Sequence, residues 1–219
     1  SLRPNVDRLC FVAEMTIDRS GHVRGSEFYR AIMRSQARLT YEQVADALDG
    51  QPDEVCQRLL ANLMRLNRVA SSLLNRRMAR GSIDLDIPEP VINFDENGEP
   101  SESSRRPRNN AHRLIEDLML AANEAVARRM EEEGRSSLFR IHEDPDREKL
   151  QAFLDLSAQL GLSLKLKKKP KPKDISLLIE ELSKLKSSSA LQMLILRSMA
   201  QARYAPENLG HFGLSAENY

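Results

Sequence analysis

Cysteine, net charge and long apolar runs are all scarce in this sequence, and each scarcity excludes a class of protein. Cys10 and Cys56 stand far apart and match no zinc or redox spacing, so we expect reduced, buried thiols in a cytoplasmic protein. The 33 basic and 32 acidic side chains leave a net charge of +1, which provides no global electrostatic argument for a nucleic-acid partner. No apolar stretch approaches the roughly 18 residues of a membrane helix, and no signal peptide opens the chain.

The common signatures of catalysis are missing as well. Four histidines are present: His22, His112, His142 and His211. They show no metal-ligand spacing, and no glycine-flanked serine, Cys/His arrangement or phosphate-binding glycine loop occurs. Asp84 and Asp86 would share one face of a strand and could converge on a metal. A solvated strand face of alternating polarity is the simpler interpretation, because no third ligand stands nearby. The residues alone predict no active site.

The composition that is present is typical of a globular protein, with 41% apolar and 30% charged residues in a chain of 219. β-forming residues at 9–17 and 27–33 flank turn residues at 18–21 and predict a β-hairpin. A second extended pair is expected at 83–87 and 91–94, followed by a polar surface loop over 95–108. Isolated hairpins are marginally stable. We therefore expect both to belong to a larger mixed sheet.

Helical periodicity dominates the rest of the chain and makes the predicted fold class α+β, with the sheet packed against several helices. The predicted helices are 41–48, 53–80, 111–130, 149–160, 174–185 and 189–203. Thr40 and Gln43 form a capping-box pattern before the first helix, and Asp174 is expected to cap the fifth. The string LKLKKKPKPK at 164–173 holds six lysines and two prolines and predicts a solvated basic loop. No aromatic residue is interleaved there, so base stacking on this loop is not expected.

Five further strings occur in a fixed order along the chain. They are SLRP at 1–4 with DRL at 7–9, RSQARLTYEQV at 34–44, RGSIDLDIPEP at 80–90, NAHRLIEDLMLAAN at 110–123, and YAPEN at 204–208 with HFGL at 211–214. Together they resemble the central catalytic domain, called the RNB domain, of the bacterial ribonuclease II / ribonuclease R family. The match is collinear over essentially all 219 residues. Each string is weak alone, but their common order is strong evidence of the resemblance.

The resemblance implies a cytoplasmic 3′→5′ exoribonuclease that uses Mg²⁺ to hydrolyse single-stranded RNA processively to nucleoside 5′-monophosphates. It also implies flanking RNA-binding domains of the OB type, and neither DNA nor a membrane as partner. In the family, four aspartates of an upstream acidic run hold the metal, and a downstream arginine-rich segment grips phosphate. These would precede Ser1 and follow Tyr219. We therefore expect residues 1–219 to be an interior part of the domain that supplies RNA-channel wall, with no catalytic or metal-binding residue.

By the same resemblance, six residues would contact RNA: Tyr41, Leu85, His112, Arg113, Glu116 and His211. Tyr41 matches a tyrosine near the last nucleotides, and Glu116 matches a glutamate near a ribose hydroxyl. Leu85 falls where some members carry a phenylalanine that stacks on the terminal bases, so the stacking half of that clamp is lost here. Asn110 and Asp117 depart from the usual Asp and Glu.

Other interpretations stay open at this point. Tyr41 is also compatible with packing at a helix start, and Glu116 with a surface position beside Arg113. For the whole chain, the alternatives are a catalytically inactive RNA-binding relative and a helical protein-interaction domain.

Overall fold

The computed structural model describes residues 2–84, 89–106, 108–185 and 188–219, and their side chains apart from those of 89–91, 102–106 and 188–189. The chain divides into two compact units, one made of residues 1–76 and 88–125 and the other of residues 77–87 and 126–219. The strands are β1 (Asp7–Ile17), β2 (Val23–Arg34), β3 (Glu89–Phe94), β4 (Pro100–Arg106), β5 (Phe139–Ile141) and β6 (Arg203–Ala205). The helices are α1 (Tyr41–Leu48), α2 (Glu54–Arg80), α3 (Asn110–Glu132), α4 (Arg147–Gln159), α5 (Pro172–Ser183) and α6 (Ser188–Ser198).

The α+β class is confirmed. The strands of the described part of the chain form three separate antiparallel pairs, β1–β2, β3–β4 and β5–β6. Membership of the hairpins in a larger mixed sheet stays a prediction, since it requires strands that are not in this chain.

The β1–β2 hairpin of the first unit is confirmed, and its strands are longer than predicted. Its turn is built on Asp18, whose Oδ1 accepts hydrogen bonds from the backbone N–H of Ser20 at 2.9 Å and of His22 at 3.0 Å. Gly21 in this turn has a φ of +78° and lies against the backbone of Ser72 in α2. The hairpin is thereby fixed to the long helix at a point where only glycine fits.

The beginnings of α1 and α2 follow from local sequence. Thr40 and Gln43 form the predicted capping box, with each side chain bonded to the other's backbone N–H. Before α2, Asp53 Oδ1 accepts from the backbone N–H of Cys56 at 2.7 Å. Cys56 is fully buried, as predicted, in a small core with Ala47 and Leu63. Cys10 was also predicted to be buried, but it is only partly buried.

The second predicted hairpin was wrong in its pairing. β3 pairs with β4, which lies in the segment interpreted as a surface loop, and not with residues 83–87. The reversal is a compact turn in which Asp95 Oδ1 accepts the backbone N–H of Asn97 and of Glu99, each at 2.9 Å. The β4 sequence PSESSRR carries no strand periodicity, so only its partner reveals it. Ile83 and Asp84 lie outside regular structure, and residues 85–87 lie outside the described residues.

The core of the second unit is formed by α4, α5, α6 and the 3₁₀ turn Phe212–Leu214. The basic segment 164–173 is not a wholly solvated loop, because Leu164 and Leu166 pack on this core. Asp174 is not the N-cap of α5 as predicted. The N-cap is Lys171, and Asp174 stands at the third helical position, where its carboxylate accepts the Lys171 backbone N–H at 2.8 Å.

The end of the last helix was predicted five residues too far along the chain. α6 ends at Ser198, and residues 203–205 form β6, which pairs with β5. Two strands of three residues are too short to show a periodicity of two, so nothing in their sequence distinguished them from the neighbouring segments. A small buried cluster of Ala127, Phe139, Ile141 and Ala205 holds this pair in place.

Candidate nucleic-acid interface

An aromatic stack joins two of the predicted site residues in the first unit. Tyr41, the first residue of α1, lies face to face with His112 in the first turn of α3, with ring centroids 3.9 Å apart and planes inclined by 16°. Tyr41 remains 42% exposed. Tyr41 is thus partly packed at the helix start and partly accessible, so its role as an RNA contact stays a prediction.

Asn109 holds this stack together, and it was missed in the sequence. Its Oδ1 accepts from the backbone N–H of Ala111 and of His112, each at 3.1 Å, and lies 2.7 Å from Nδ1 of the His112 ring. Its amide Nδ2 donates to the backbone carbonyl of Tyr41 at 3.4 Å. The signal was present, because asparagine just before a helix is a preferred N-cap.

Glu116 lies one helical turn beyond His112 on α3 and is held by an arginine. Arg108 donates to Glu116 Oε2 at 2.5 Å, and both side chains are partly buried, with exposed fractions of 25% and 33%. A charge-assisted bond of this kind restrains a carboxylate more firmly than a neutral hydrogen bond does. Arg113, which the sequence suggested as the neighbour of Glu116, is half-buried and follows His112 in the first turns of α3.

His211 belongs to the second unit and is engaged in that unit's own structure. Its Nδ1 accepts the Leu214 backbone N–H at 3.2 Å, and its ring stacks on His142 with centroids 5.1 Å apart. The Nδ1 of His142 accepts the Gly213 backbone N–H at 3.1 Å. Burial lowers the pKa of His211 to about 4, with the nearby His142 as a smaller cause, and burial also lowers the pKa of His142. An RNA contact by His211 would have to use Nε2.

The structure thus groups Tyr41, His112, Arg113 and Glu116 in one unit, and His211 lies in the other. Leu85 lies outside the described residues. The His142–His211 pair was not foreseen, since the two residues are far apart in the sequence and no local pattern links them.

In the ranges that the structure describes, no three His, Cys, Asp or Glu side chains converge on a point where a metal ion could bind. The described residues therefore contain no carboxylate cluster of the kind that holds a pair of catalytic metal ions. Among the same residues, no helix combines the length and apolar character needed to cross a membrane.

A family model described as the RNB domain matches residues 1–219. This chain belongs to the RNB-domain family. It is 38% identical to ribonuclease R of Aquifex aeolicus and 40% identical to ribonuclease R of Escherichia coli, in each case over 100% of this chain. The chain spans only 31% and 27% of the length of these two relatives.

Solved structures of RNase R share the fold of this chain. RNase R of Mycoplasma genitalium in its apo form superimposes with a TM-score of 0.94 at 26% identity, over 100% of this chain and 34% of that one. The same protein in complex with ribose-methylated single-stranded RNA has a TM-score of 0.94 as well. Yeast Ssd1, described as a pseudonuclease, shares the fold with a TM-score of 0.69 at 17% identity.

Proposed function

We propose that the RNB chain, residues 1–219, is part of the RNB domain of a 3′→5′ exoribonuclease that hydrolyses single-stranded RNA processively to nucleoside 5′-monophosphates. The observation that carries this proposal is the match of the RNB family model to residues 1–219, together with about 40% identity to ribonuclease R over the whole chain. In the longer protein, this segment supplies the wall of the RNA channel rather than the metal site.

The geometry of the first unit supports an RNA-binding wall. The half-exposed Tyr41 ring, supported from behind by His112, offers a π-face on which a base can stack. Such stacking is worth about 1–3 kcal/mol per base and tolerates any sequence. Glu116, restrained by Arg108, is an acceptor suited to a ribose hydroxyl. The proposed RNA-binding set also includes Leu85, Arg113 and His211. These three are included because of their positions in the strings that resemble the family.

The metal belongs to another part of the longer protein in this proposal. Mg²⁺ would supply charge stabilisation of the attacking and leaving oxygens, and its carboxylate ligands would precede Ser1. The relatives are between three and four times as long as this chain, which covers 31% and 27% of them. This leaves room for those ligands and for flanking OB-type domains. We further propose a cytoplasmic location, single-stranded RNA as partner, and neither DNA nor membrane.

A catalytically inactive RNA-binding relative is the second candidate. The observation in its favour is that a protein described as a pseudonuclease shares the fold, so the fold alone is compatible with loss of catalysis.

The test is an assay of the full-length protein on single-stranded RNA labelled at the 5′ end, with Mg²⁺ and with EDTA. Only with Mg²⁺ do we expect the full-length RNA to be replaced by a short 5′-labelled end product with few intermediates, as processive removal from the 3′ end requires. A parallel assay with uniformly labelled RNA should show release of nucleoside 5′-monophosphates under the same condition. The 219-residue chain alone should release none, because its described residues hold no cluster of metal ligands. RNA binding without any release would favour the inactive relative. Release of internal fragments would contradict the proposal, and failure to retain poly(A) on a filter would favour a protein-interaction domain.

A further inference from the structure

The orientation of the Asn109 side-chain amide is decided by the backbone around it. Its Oδ1 faces the backbone N–H groups of Ala111 and His112 at 3.1 Å. These are obligatory donors, so the group opposite them must be the amide oxygen and not the NH₂. The NH₂ then faces the Tyr41 carbonyl, an obligatory acceptor. Only one orientation of the Asn109 amide therefore satisfies all three of these backbone groups.

This orientation determines which nitrogen of His112 carries the proton. Oδ1 of Asn109 can only accept, and it lies 2.7 Å from His112 Nδ1. Nδ1 must therefore be the donor, and in a neutral imidazole the other nitrogen, Nε2, is then an acceptor. Stacking on Tyr41 restrains the ring plane as well. Among the residues that the structure describes, Nε2 of His112 has no hydrogen-bond partner.

An acceptor of this kind selects its ligand by chemistry. A phosphodiester carries no proton at neutral pH and cannot donate to Nε2. A ribose 2′-hydroxyl can donate, and it is the group that distinguishes RNA from DNA at every nucleotide. Base amino groups also donate, but they differ from base to base, and a stacking site on Tyr41 is tolerant of sequence. The sugar is therefore the group that fits an acceptor beside a general stacking surface.

We propose that Asn109 is a positioning residue that holds His112 in its Nδ1–H form, so that His112 Nε2 accepts a hydrogen bond from one ribose 2′-hydroxyl of the bound RNA. This inference rests on the proposed function and adds a specificity-determining pair to it. Losing the donor from an acceptor that the bound RNA covers should change binding by about 10-fold to 100-fold.

The first experiment measures binding by the full-length protein in EDTA, so that cleavage does not interfere. The probes are two series of single-stranded RNAs, one with a single 2′-deoxy nucleotide and one with a single 2′-fluoro nucleotide. Within each series the modified nucleotide is placed at successive positions counted from the 3′ end. Neither substituent can donate a hydrogen bond. We expect both to weaken binding by about 10-fold or more at the position that His112 contacts, in addition to any position read by Glu116. The absence of any such position would overturn the inference while leaving the proposed function intact.

Variants assign that position to His112. His112→Phe keeps a ring to stack on Tyr41 and removes both nitrogens, so the penalty at that one position should vanish while any penalty elsewhere stays. Persistence of the full penalty in this variant would overturn the inference. Asn97→Ala, in the exposed β3–β4 turn, is the control and should keep the wild-type pattern.

Two substitutions of Asn109 separate its effect on His112 from its role as a helix cap. Asp and Ser are both good N-caps, but a carboxylate only accepts whereas a hydroxyl also donates. Asn109→Asp should therefore keep the loss of binding caused by a 2′-deoxy or 2′-fluoro nucleotide at the His112 position. Asn109→Ser should reduce that loss at least several-fold. Equal penalties in the two variants would show that Asn109 acts only as a cap.

The proton position can be observed directly. Nitrogen-15 spectra of the histidine-labelled full-length protein, assigned with His112→Phe, distinguish a protonated ring nitrogen from one with a free lone pair. We expect the proton on Nδ1 in the wild type at about pH 8, above the range in which ordinary imidazoles titrate. A proton on Nε2 would overturn the inference whatever the RNA assays show. If the wild type binds no RNA, both this inference and the proposed function fail. If it binds RNA with the positional penalty but releases no nucleotide, only the nuclease activity fails.

Discussion

The contact of Gly21 with α2 predicts a large loss of stability for Gly21→Ala. A Cβ built on Gly21 would lie 2.3 Å from the backbone oxygen of Ser72 and 2.7 Å from its carbonyl carbon. Both atoms belong to the middle of a helix, so they cannot rotate aside as a flexible side chain would. The φ of +78° is a second obstacle, because it is a left-handed conformation that L-residues avoid.

The two costs can be estimated separately. The left-handed backbone costs a residue with a Cβ about 1–2 kcal/mol, and forcing an extra carbon into a closed contact costs about 1–3 kcal/mol. We therefore expect Gly21→Ala to lower the free energy of unfolding by about 2–5 kcal/mol. For a domain of this size, that corresponds to a fall in Tm of roughly 5–15 °C.

Matched controls isolate each cost. Gly98→Ala has nearly the same φ, +81°, with nothing within 4 Å of the new Cβ, so it should show the backbone cost alone. Gly25→Ala has neither a left-handed φ nor a neighbour within 4 Å and should be close to neutral. The assay is thermal and urea unfolding of the three variants and the parent chain, followed by circular dichroism. If Gly21→Ala and Gly98→Ala were equally destabilised, the close approach of the hairpin to α2 would be refuted.

Three further predictions concern function and pH. In the full-length protein, Tyr41→Phe and Glu116→Ala should narrow the RNA/DNA turnover ratio by about one to two decades without abolishing RNA cleavage; an unchanged ratio in both would refute their assigned roles. Replacing the six lysines of residues 165–173 by serine should reduce the slope of log binding constant against log salt concentration by no more than the equivalent of two phosphate contacts, at about 0.7 per contact. Loss of the whole salt dependence would instead identify this segment as the main RNA-binding track. Because burial lowers the pKa of His211 from 6.5 to about 4, the folded chain binds fewer protons than the unfolded chain between these values, and its unfolding free energy should fall as pH drops through that window. His211→Gln should make that fall shallower in urea titrations at several pH values, and an unchanged slope would contradict the burial argument.

Local structure was largely determined by the sequence alone. The Thr40–Gln43 capping box, the turn at Asp18 and the long helix α2 all appeared where the residues predicted them. In each case the deciding interactions join residues a few positions apart, so the pattern is complete within a short window. The family was likewise evident from the order of five strings, and the RNB match over 1–219 confirmed it.

Only the tertiary structure decided which segments and side chains meet. The polar strand β4 exists because β3 lies beside it, and the short strands β5 and β6 depend on each other in the same way. At the candidate site, Tyr41 and Glu116 had been expected from the family, but the stack of Tyr41 on His112 and the role of Asn109 had not. Asn109 and Tyr41 are 68 residues apart in the chain and are joined by one hydrogen bond. Caps and periodicity act over a few residues, whereas an encounter at this separation depends on how the intervening helices and strands pack, which no local pattern encodes.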